Sequence, residues 1–198
     1  MIKNVIFDVG DVLINGDMRY YIKSFGYSTE RAEALNQALS IESIWRAKDL
    51  GIYRSYVEAV PAFQEQHPEL AQEIADFFKG PWMEQIYNPL EEGITLYNKV
   101  KEKGYDIYLL TNYSIDSFAY IEKKYDFIRE VKGKIVSSHV QCCKPDRKIF
   151  QMLLDKYHLD AAECIFFDDN LSNVLAARNI GINAVQFKDL QEALCYIE

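Results

Sequence analysis

Four cysteines in 198 residues are too few to organise a fold, and their spacing suits no metal. Cys142, Cys143, Cys164 and Cys195 all fall in the C-terminal half, and an adjacent pair such as Cys142 and Cys143 seldom closes a disulfide. Free thiols in a reducing, cytoplasmic compartment are the expectation, and a zinc centre is not. Long apolar runs are absent too. The N-terminal MIKNVIFDVGDVLING starts with a lysine and apolar residues, but Asp8 and Asp11 interrupt it before a signal-peptide core is complete. No other stretch approaches a membrane span. Basic charge is in short supply, with a formal net charge of −8 and no basic patch. Such a chain repels a phosphate backbone, which argues against a nucleic-acid partner. There is no internal repeat and no low-complexity tract.

Apolar residues, by contrast, make up 49% of the chain, enough to bury a core in one domain or in one domain carrying a smaller insertion. Their placement is informative. Three strand-like runs end on polar side chains: VIFD at Asp8, IYLLTN at Thr111 and Asn112, and CIFFDDN at Asp168, Asp169 and Asn170. In an open parallel α/β sheet the carboxyl ends of the strands share one edge, and ligands bind in the crevice outside it. Carboxylates, a hydroxyl and a lysine would gather there around one small volume, a combination suited to a metal ion and a phosphate.

Residues 16–87 contain no convincing buried strand and read as a helical insertion. Ser28 and Thr29 can cap a helix running to about Leu39, Ser55 followed by Glu58 resembles a capping box, and Pro68 opens a segment closed by Gly80. Pro61 is expected to bend or interrupt the middle helix. From Asn88 the period changes: Asn88, Pro89 and Glu91 mark a helix start, Ile94, Tyr97 and Val100 its buried face, and Gly104 its end. Further strands are predicted at 107–111, 134–138, 164–168 and 183–187, with helices near 115–124, 146–157 and 171–180 between them and a short one over 189–197. This alternation is that of an α/β protein with a doubly wound parallel sheet. Residues 1–15 and 88–198 would form the sheet domain, and 16–87 a small antiparallel helical cap.

Asp8-Val9-Gly10-Asp11-Val12 resembles the first motif, D-x-D-x-[TV], of the haloacid dehalogenase-like (HAD) hydrolases. LLTN at 109–112 resembles their second motif, Lys144-Pro145 the third and FFDDN at 166–170 the acidic fourth, in order across the chain. The resemblance is to cap-bearing members of subfamily I, of the kind that includes sugar-phosphate (glucose-1-phosphate type) phosphatases. It implies a Rossmann-like core and a set of roles. Asp8 would attack a phosphoester and form an aspartyl-phosphate. Asp8, Gly10 through its backbone carbonyl, and Asp169 would hold Mg²⁺, which favours oxygen ligands and usually takes one or two carboxylates. Thr111, Lys144 and the backbone N–H of Asn112 would bind the transferring phosphoryl group. Asp168, Asn170 and Asn173 would support the loop, with Asp168 an alternative metal contact through water. Each residue has a plainer reading by itself: strand-end aspartates and Asn170 cap turns and helices, Thr111 and Asn112 can start a helix, and Lys144 can be solvated surface.

One position departs from the pattern. Gly10 stands where the phosphatases of that family carry a second aspartate, which protonates the leaving alcohol and later activates water, work typically worth ~10²–10⁴ in rate. Three accounts are open: activity persists with another acid, a water or a better leaving group; Asp11 serves; or the chain binds phosphate without turnover. The cap is expected to choose the substrate through the turn around Lys48, Asp49, Leu50 and Gly51, with Trp45 and Arg54 nearby. The expected function is Mg²⁺-dependent hydrolysis of a small phosphorylated metabolite such as a sugar phosphate, with no nucleic-acid or membrane partner. Monomer and homodimer are both compatible with the sequence. A metal-independent 2-haloacid dehalogenase-type hydrolase and a catalytically impaired phosphate-binding or regulatory protein are the alternatives.

Overall fold

The computed structural model describes residues 1–197. Five strands, β1 (Asn4–Phe7), β2 (Asp106–Thr111), β3 (Gly133–Val136), β4 (Cys164–Asp168) and β5 (Asn183–Gln186), form one parallel sheet in the order β3-β2-β1-β4-β5. The strand period of two sorts their side chains between two cores. Val5, Phe7, Ile107, Leu109, Ile165 and Phe167 enter one, while Ile6, Tyr108, Leu110, Ile135 and Phe166 enter the other. Burial on both faces is why these strands read as continuous apolar runs rather than as alternating ones.

Seven helices precede β2: α1 (Arg19–Lys23), α2 (Thr29–Leu39), α3 (Glu42–Asp49), α4 (Tyr56–Gln66), α5 (Ala71–Lys79), α6 (Trp82–Ile86) and α7 (Glu91–Glu102). Between β2 and β3 lie α8 (Ile115–Lys124) and α9 (Asp126–Arg129), and between β3 and β4 lie α10 (Ser137–Val140) and α11 (Arg147–Tyr157). The α12 helix (Leu171–Arg178) precedes β5 and α13 (Leu190–Leu194) follows it. Leu96 and Val100 of α7, Phe118 and Ile121 of α8 and Ala193 of α13 fill the first core, and Phe150 and Leu153 of α11 with Val174 of α12 fill the second. Helices thus cover both faces of the sheet, the doubly wound arrangement the alternation predicts.

Local chemistry sets most boundaries where the sequence places them. The Ser28 side chain caps α2 by accepting from the Arg31 N–H. At the end of α7, Gly104 takes φ +81° while the Tyr105 N–H reaches the Val100 carbonyl and the Gly104 N–H that of Lys101, closing a Schellman motif.

Four local expectations are corrected. The capping box at Ser55 does not form: Glu58 accepts from the Arg54 N–H, and the Tyr56 N–H, left free at the start of α4, is taken by Asp116 of α8. Pro61 does not interrupt α4, which continues to Gln66. Asn88 does not start α7, because its side chain donates back to the Gln85 carbonyl of α6. Finally, β3 stops at Val136, and Ser137 and Ser138 turn into α10.

Helices α1–α6 share an aromatic core in which the Tyr56 and Trp82 rings lie 4.1 Å apart edge to face, with Phe63, Phe77 and Phe78 around them. The two strands of chain that join this block to the sheet are paired. Asn15 donates its N–H to the Asn88 carbonyl at 2.8 Å, and Leu90 donates to that of Leu13 at 2.9 Å. Among the described residues no helix is long and apolar enough to cross a membrane.

Candidate active site

The chain leaves the central strand β1 for β2 and β3 on one side and returns to β4 on the other, so the switch in strand order falls beside β1. Phe7 pairs with Leu109 and with Phe167, which puts Asp8 and Asp168 at the same level on adjacent strand ends, with Thr111 on the other flank. Burial of the apolar residues just before them carries these polar groups to the edge of the core.

Lys144 is buried between the two aspartates, its Nζ 2.8 Å from Asp8 Oδ2 and 2.6 Å from Asp168 Oδ2. Asn112 fixes it there. The Asn112 Oδ1 accepts from the Lys144 N–H at 2.8 Å, and its Nδ2 donates to the Lys144 carbonyl at 3.0 Å. Asp168 is wholly buried and held by three donors: Oδ1 accepts from the Asn170 N–H and the Asn173 Nδ2, and Oδ2 from Lys144 and again from the same Asn173 Nδ2. Held by these donors, Asp168 anchors Lys144, while one of its oxygens still lies within reach of a metal shared with Asp8 and Asp169. Asn170 caps α12 through the Ser172 N–H.

Asp169 differs from its neighbour. Its carboxylate accepts no hydrogen bond from any other described residue, with only its own backbone N–H near enough to favour its charge, and it reaches the solvent side of the cluster, where Asp8, Asp168 and Asp169 each offer an oxygen within 4.8 Å of the others. Burial pushes the Asp8 carboxyl up to about 8 against the pull of Lys144. Asp169 is raised as well, by burial and then by Asp168. Burial works against the Lys144 charge, but Asp8 and Asp168 outweigh it and hold its pKa above the usual value. Three carboxyl groups therefore share one ammonium, and a divalent cation among them would favour the ionised forms of Asp8 and Asp169. The Thr111 hydroxyl is buried with no hydrogen-bond partner, although it lies near enough to Asp8 to ease its ionisation slightly. A buried hydroxyl left unpaired costs about 1–3 kcal/mol. An oxyanion arriving beside Asp8 would restore the missing bond.

At Gly10 a Cβ would meet only Tyr113 Cε2, at 3.7 Å, so the position where an acid is missing is open space. Asp11 sits in the left-handed region at φ 54°, and its Oδ1 faces the Gly16 N–H at 3.4 Å. Above this floor lie two adjoining cavities. One, of about 270 Å³, is lined by Gly10, Asp11, Trp45, Asp49, Tyr87 and Tyr113 among others. The second, of about 330 Å³, is lined by Trp45, Asp49, Asn112, Lys144, Asn170 and Asn173 among others. Trp45, Asp49 and Asn112 border both.

Of the cap residues singled out in the sequence, Trp45 and Asp49 reach this crevice, one helical turn apart on α3. Lys48 does not. It is fully buried, its Nζ 3.1 Å above the centre of the Tyr56 ring and 3.4 Å from Asp116. Gly51, at φ +70°, brings its backbone so close to α10 that a Cβ would stand 2.6 Å from the Ser138 carbonyl oxygen. Arg54 is exposed and borders neither cavity. Sequence reasoning missed Tyr87, Tyr113 and Asp116. Tyr113 follows the LLTN motif directly, which was a usable signal; Asp116 binds the Tyr56 N–H of α4 across 60 residues, and no local pattern announces it.

A haloacid dehalogenase-like hydrolase family model matches residues 2–181. The chain belongs to that family of hydrolases, as its four motifs implied. Among curated proteins it is 27% identical over 214 residues to acyl-CoA dehydrogenase family member 10 of Mus musculus, covering 99% of this chain and 19% of that protein. It is also 28% identical over 95 residues to the sesquiterpene phosphatase astK of Aspergillus oryzae, covering 48% of each. The chain thus spans only a minor part of these relatives. Among solved structures it resembles the HAD family enzyme bt-2542 of Bacteroides thetaiotaomicron in complex with magnesium and inorganic phosphate, with TM-score 0.71, 22% identity and 96% of both chains covered. The L-2-haloacid dehalogenase of Xanthobacter autotrophicus is similar too, with TM-score 0.67, 18% identity, and 98% of this chain and 81% of that one covered.

Proposed function

We propose that the chain is a Mg²⁺-dependent phosphomonoester hydrolase that works through an aspartyl-phosphate on Asp8. The carrying observation is the contrast between the two acidic neighbours at the end of β4: Asp168 is held by Lys144, Asn170 and Asn173, while Asp169 takes no hydrogen bond from another described residue and offers an oxygen beside the buried Asp8. Asp8, Asp169 and the Gly10 carbonyl would hold Mg²⁺, which would neutralise the carboxylates and the phosphate so that one anion can approach another. Asp8 attacks phosphorus. Lys144 balances the charge on the attacking carboxylate, and the orphaned Thr111 hydroxyl donates to a phosphoryl oxygen. Asn112 serves by holding Lys144, with its backbone N–H a second phosphoryl donor.

Haloacid dehalogenase chemistry is the weaker reading. It needs Asp8 ionised without a metal, and Asp169 beside it opposes that. The magnesium and phosphate found with bt-2542 and the phosphatase activity named for the fungal relative favour phosphoester hydrolysis. The two cavities suit a small phosphorylated metabolite. A sugar phosphate fits their mixture of rings, Trp45, Tyr87 and Tyr113, with polar Asp49, Asn112 and Ser114. Residues 16–87 act as the cap, hinged on the paired linkers at Asn15 and Asn88. All four cysteines are free thiols, which accords with a cytoplasmic location.

The test is phosphate release from a panel of phosphomonoesters with and without Mg²⁺, repeated with Asp8→Asn. Release should require Mg²⁺ and vanish in the variant, and acid-quenched wild type should retain one phosphoryl group by mass. Turnover by Asp8→Asn at the wild-type rate would sink the covalent mechanism.

A further inference from the structure

We propose that Asp49, carried over the crevice by the cap, is the general acid–base of this hydrolysis and does the work that Gly10 has no side chain to do. The inference rests on the phosphatase reading above. Asp49 ends α3 and borders both cavities, the one above Gly10 and Asp11 and the one above Lys144. Its carboxylate accepts no hydrogen bond from the described residues, so a substrate oxygen meets no competitor for it.

The residues on either side hold it in place. Lys48 runs inward to Asp116 of α8, and Asp116 also accepts the Tyr56 N–H at 2.7 Å, so one carboxylate of the sheet domain grips both α3 and α4. Two residues beyond Asp49, Gly51 lies against the Ser138 backbone of α10, an approach only a glycine permits. A side chain between two such anchors has a fixed height above the strand ends. That is the pre-organisation a proton donor needs.

Glu42 borders only the second cavity and is exposed to solvent, away from Gly10, and the other candidates are engaged or unsuited. Lys144 is bound to Asp8 and Asp168. Asp116 already receives Lys48, Ser114, Ser117 and Tyr56. Asp11 is turned by its left-handed backbone toward Gly16. Burial holds the Tyr113 phenol well above its usual range, which makes it a poor partner for a proton that must move twice near neutral pH.

Asp49 itself is poised. Burial raises its carboxyl to about 7, with Lys48, Lys144 and Arg46 pulling the other way. Tyr87, Tyr113 and Cys143 face it as further titratable groups, and its charge helps to raise all three. A group so placed is part acid and part base at neutral pH, as a two-step hydrolysis requires.

The protons balance. As Asp8 attacks and the bond from phosphorus to the leaving oxygen breaks, the Asp49 carboxyl gives its proton to that oxygen, and the alcohol departs. Asp49, now a carboxylate, takes a proton from water as the water oxygen attacks the aspartyl-phosphate. Phosphate leaves, Asp8 is regenerated, and Asp49 is again protonated.

Asp49→Asn keeps the size of the side chain and removes the transferable proton. Its kcat/KM, measured beside wild type on phosphomonoesters of graded leaving-group pKa at saturating Mg²⁺, should fall about 100-fold or more for alkyl phosphates and only a few-fold for aryl phosphates with acidic phenols. Asp49→Glu should recover part of the alkyl-phosphate rate. Circular dichroism and the Mg²⁺-induced rise in Tm should match wild type in both variants. An equal loss across the series would make Asp49 a binding residue and overturn the proposal, as would no loss at all. Absence of phosphate release by wild type from every member would instead overturn the phosphatase reading beneath it.

Discussion

Asn112 grips the backbone of Lys144 with both polar atoms of its carboxamide, so the residue at the end of β2 sets the position of the cation that faces Asp8. The relationship has a direct consequence. Asn112→Ala leaves the Lys144 N–H and carbonyl without these partners and should cost about 1–3 kcal/mol of stability, read from denaturant unfolding. Turnover should fall much further than a loss of that size explains, because Lys144 no longer meets Asp8 in a fixed geometry. Unaltered kcat in a folded Asn112→Ala protein would show that the clamp is only structural.

Removing Lys144 tests the charge balance. Lys144→Met leaves Asp8 and Asp168 buried with no cation, a change that typically costs about 3–5 kcal/mol. Asp8 can escape part of the cost by taking a proton, so the destabilisation should be smaller in acid than above neutrality. An equal loss of stability at about pH 5 and about pH 8 would contradict a charge-based origin.

The strand ends were legible because the apolar runs that stop at Asp8, Thr111 and Asp168 are buried on both faces, and parallel pairing brings such ends to one edge. The approximate places of α8, α11 and α12 were also legible, and α11 and α12 start on side-chain caps, Asp146 on the Lys148 N–H and Asn170 on the Ser172 N–H. What was not legible depends on distant partners. Lys48 looks like any solvated lysine of an amphipathic helix, and its burial is produced by Tyr56 and by Asp116, 68 residues away. The donors around Asp168 likewise required Lys144 and Asn173 to arrive from separate elements. One-turn helices such as α1, α6, α9 and α10 are too short to show a period.

Stability should depend on pH with a definite sign. The Asp8 and Asp49 carboxyls are raised from 3.8 to about 8 and about 7, so the folded chain holds protons that the unfolded chain has already released. Their contribution is full below about pH 4 and is lost as pH rises through the folded values. The Tm of the metal-free protein should therefore decline from about pH 5 to about pH 8, and the rise in Tm on adding Mg²⁺, which competes with the Asp8 proton, should be larger at the higher pH. A Mg²⁺ effect that shrinks as pH increases would mean that the ion binds elsewhere.

Asp169 offers a sharper test of the metal site, because its carboxylate lies within 4.8 Å of those of Asp8 and Asp168 and takes no donor from another described residue. Asp169→Asn removes a like charge beside Asp8 and Asp168 and should raise the Tm of the metal-free protein modestly. The same change should abolish most of the Mg²⁺-induced rise in Tm and raise the Mg²⁺ concentration needed for half-maximal activity. Destabilisation without metal, with Mg²⁺ affinity intact, would assign Asp169 to the fold instead.

Gly10→Asp restores the residue that the first motif lacks, and the space for it exists. Its backbone is outside the left-handed region and a Cβ there touches only Tyr113 at ordinary van der Waals distance, so the fold should tolerate the change. A fourth carboxylate beside Asp8, Asp168 and Asp169 should lower the Tm of the metal-free protein above neutral pH, and Mg²⁺ should recover most of it. With an acid now available from the floor of the crevice as well as from the cap, alkyl phosphates should gain most and aryl phosphates least, flattening the dependence of kcat/KM on leaving-group pKa. The informative protein is the double variant Gly10→Asp/Asp49→Asn, in which the new carboxyl should return alkyl-phosphate turnover that Asp49→Asn loses. If the double variant is no faster than Asp49→Asn alone, the two positions do not share one proton-transfer role.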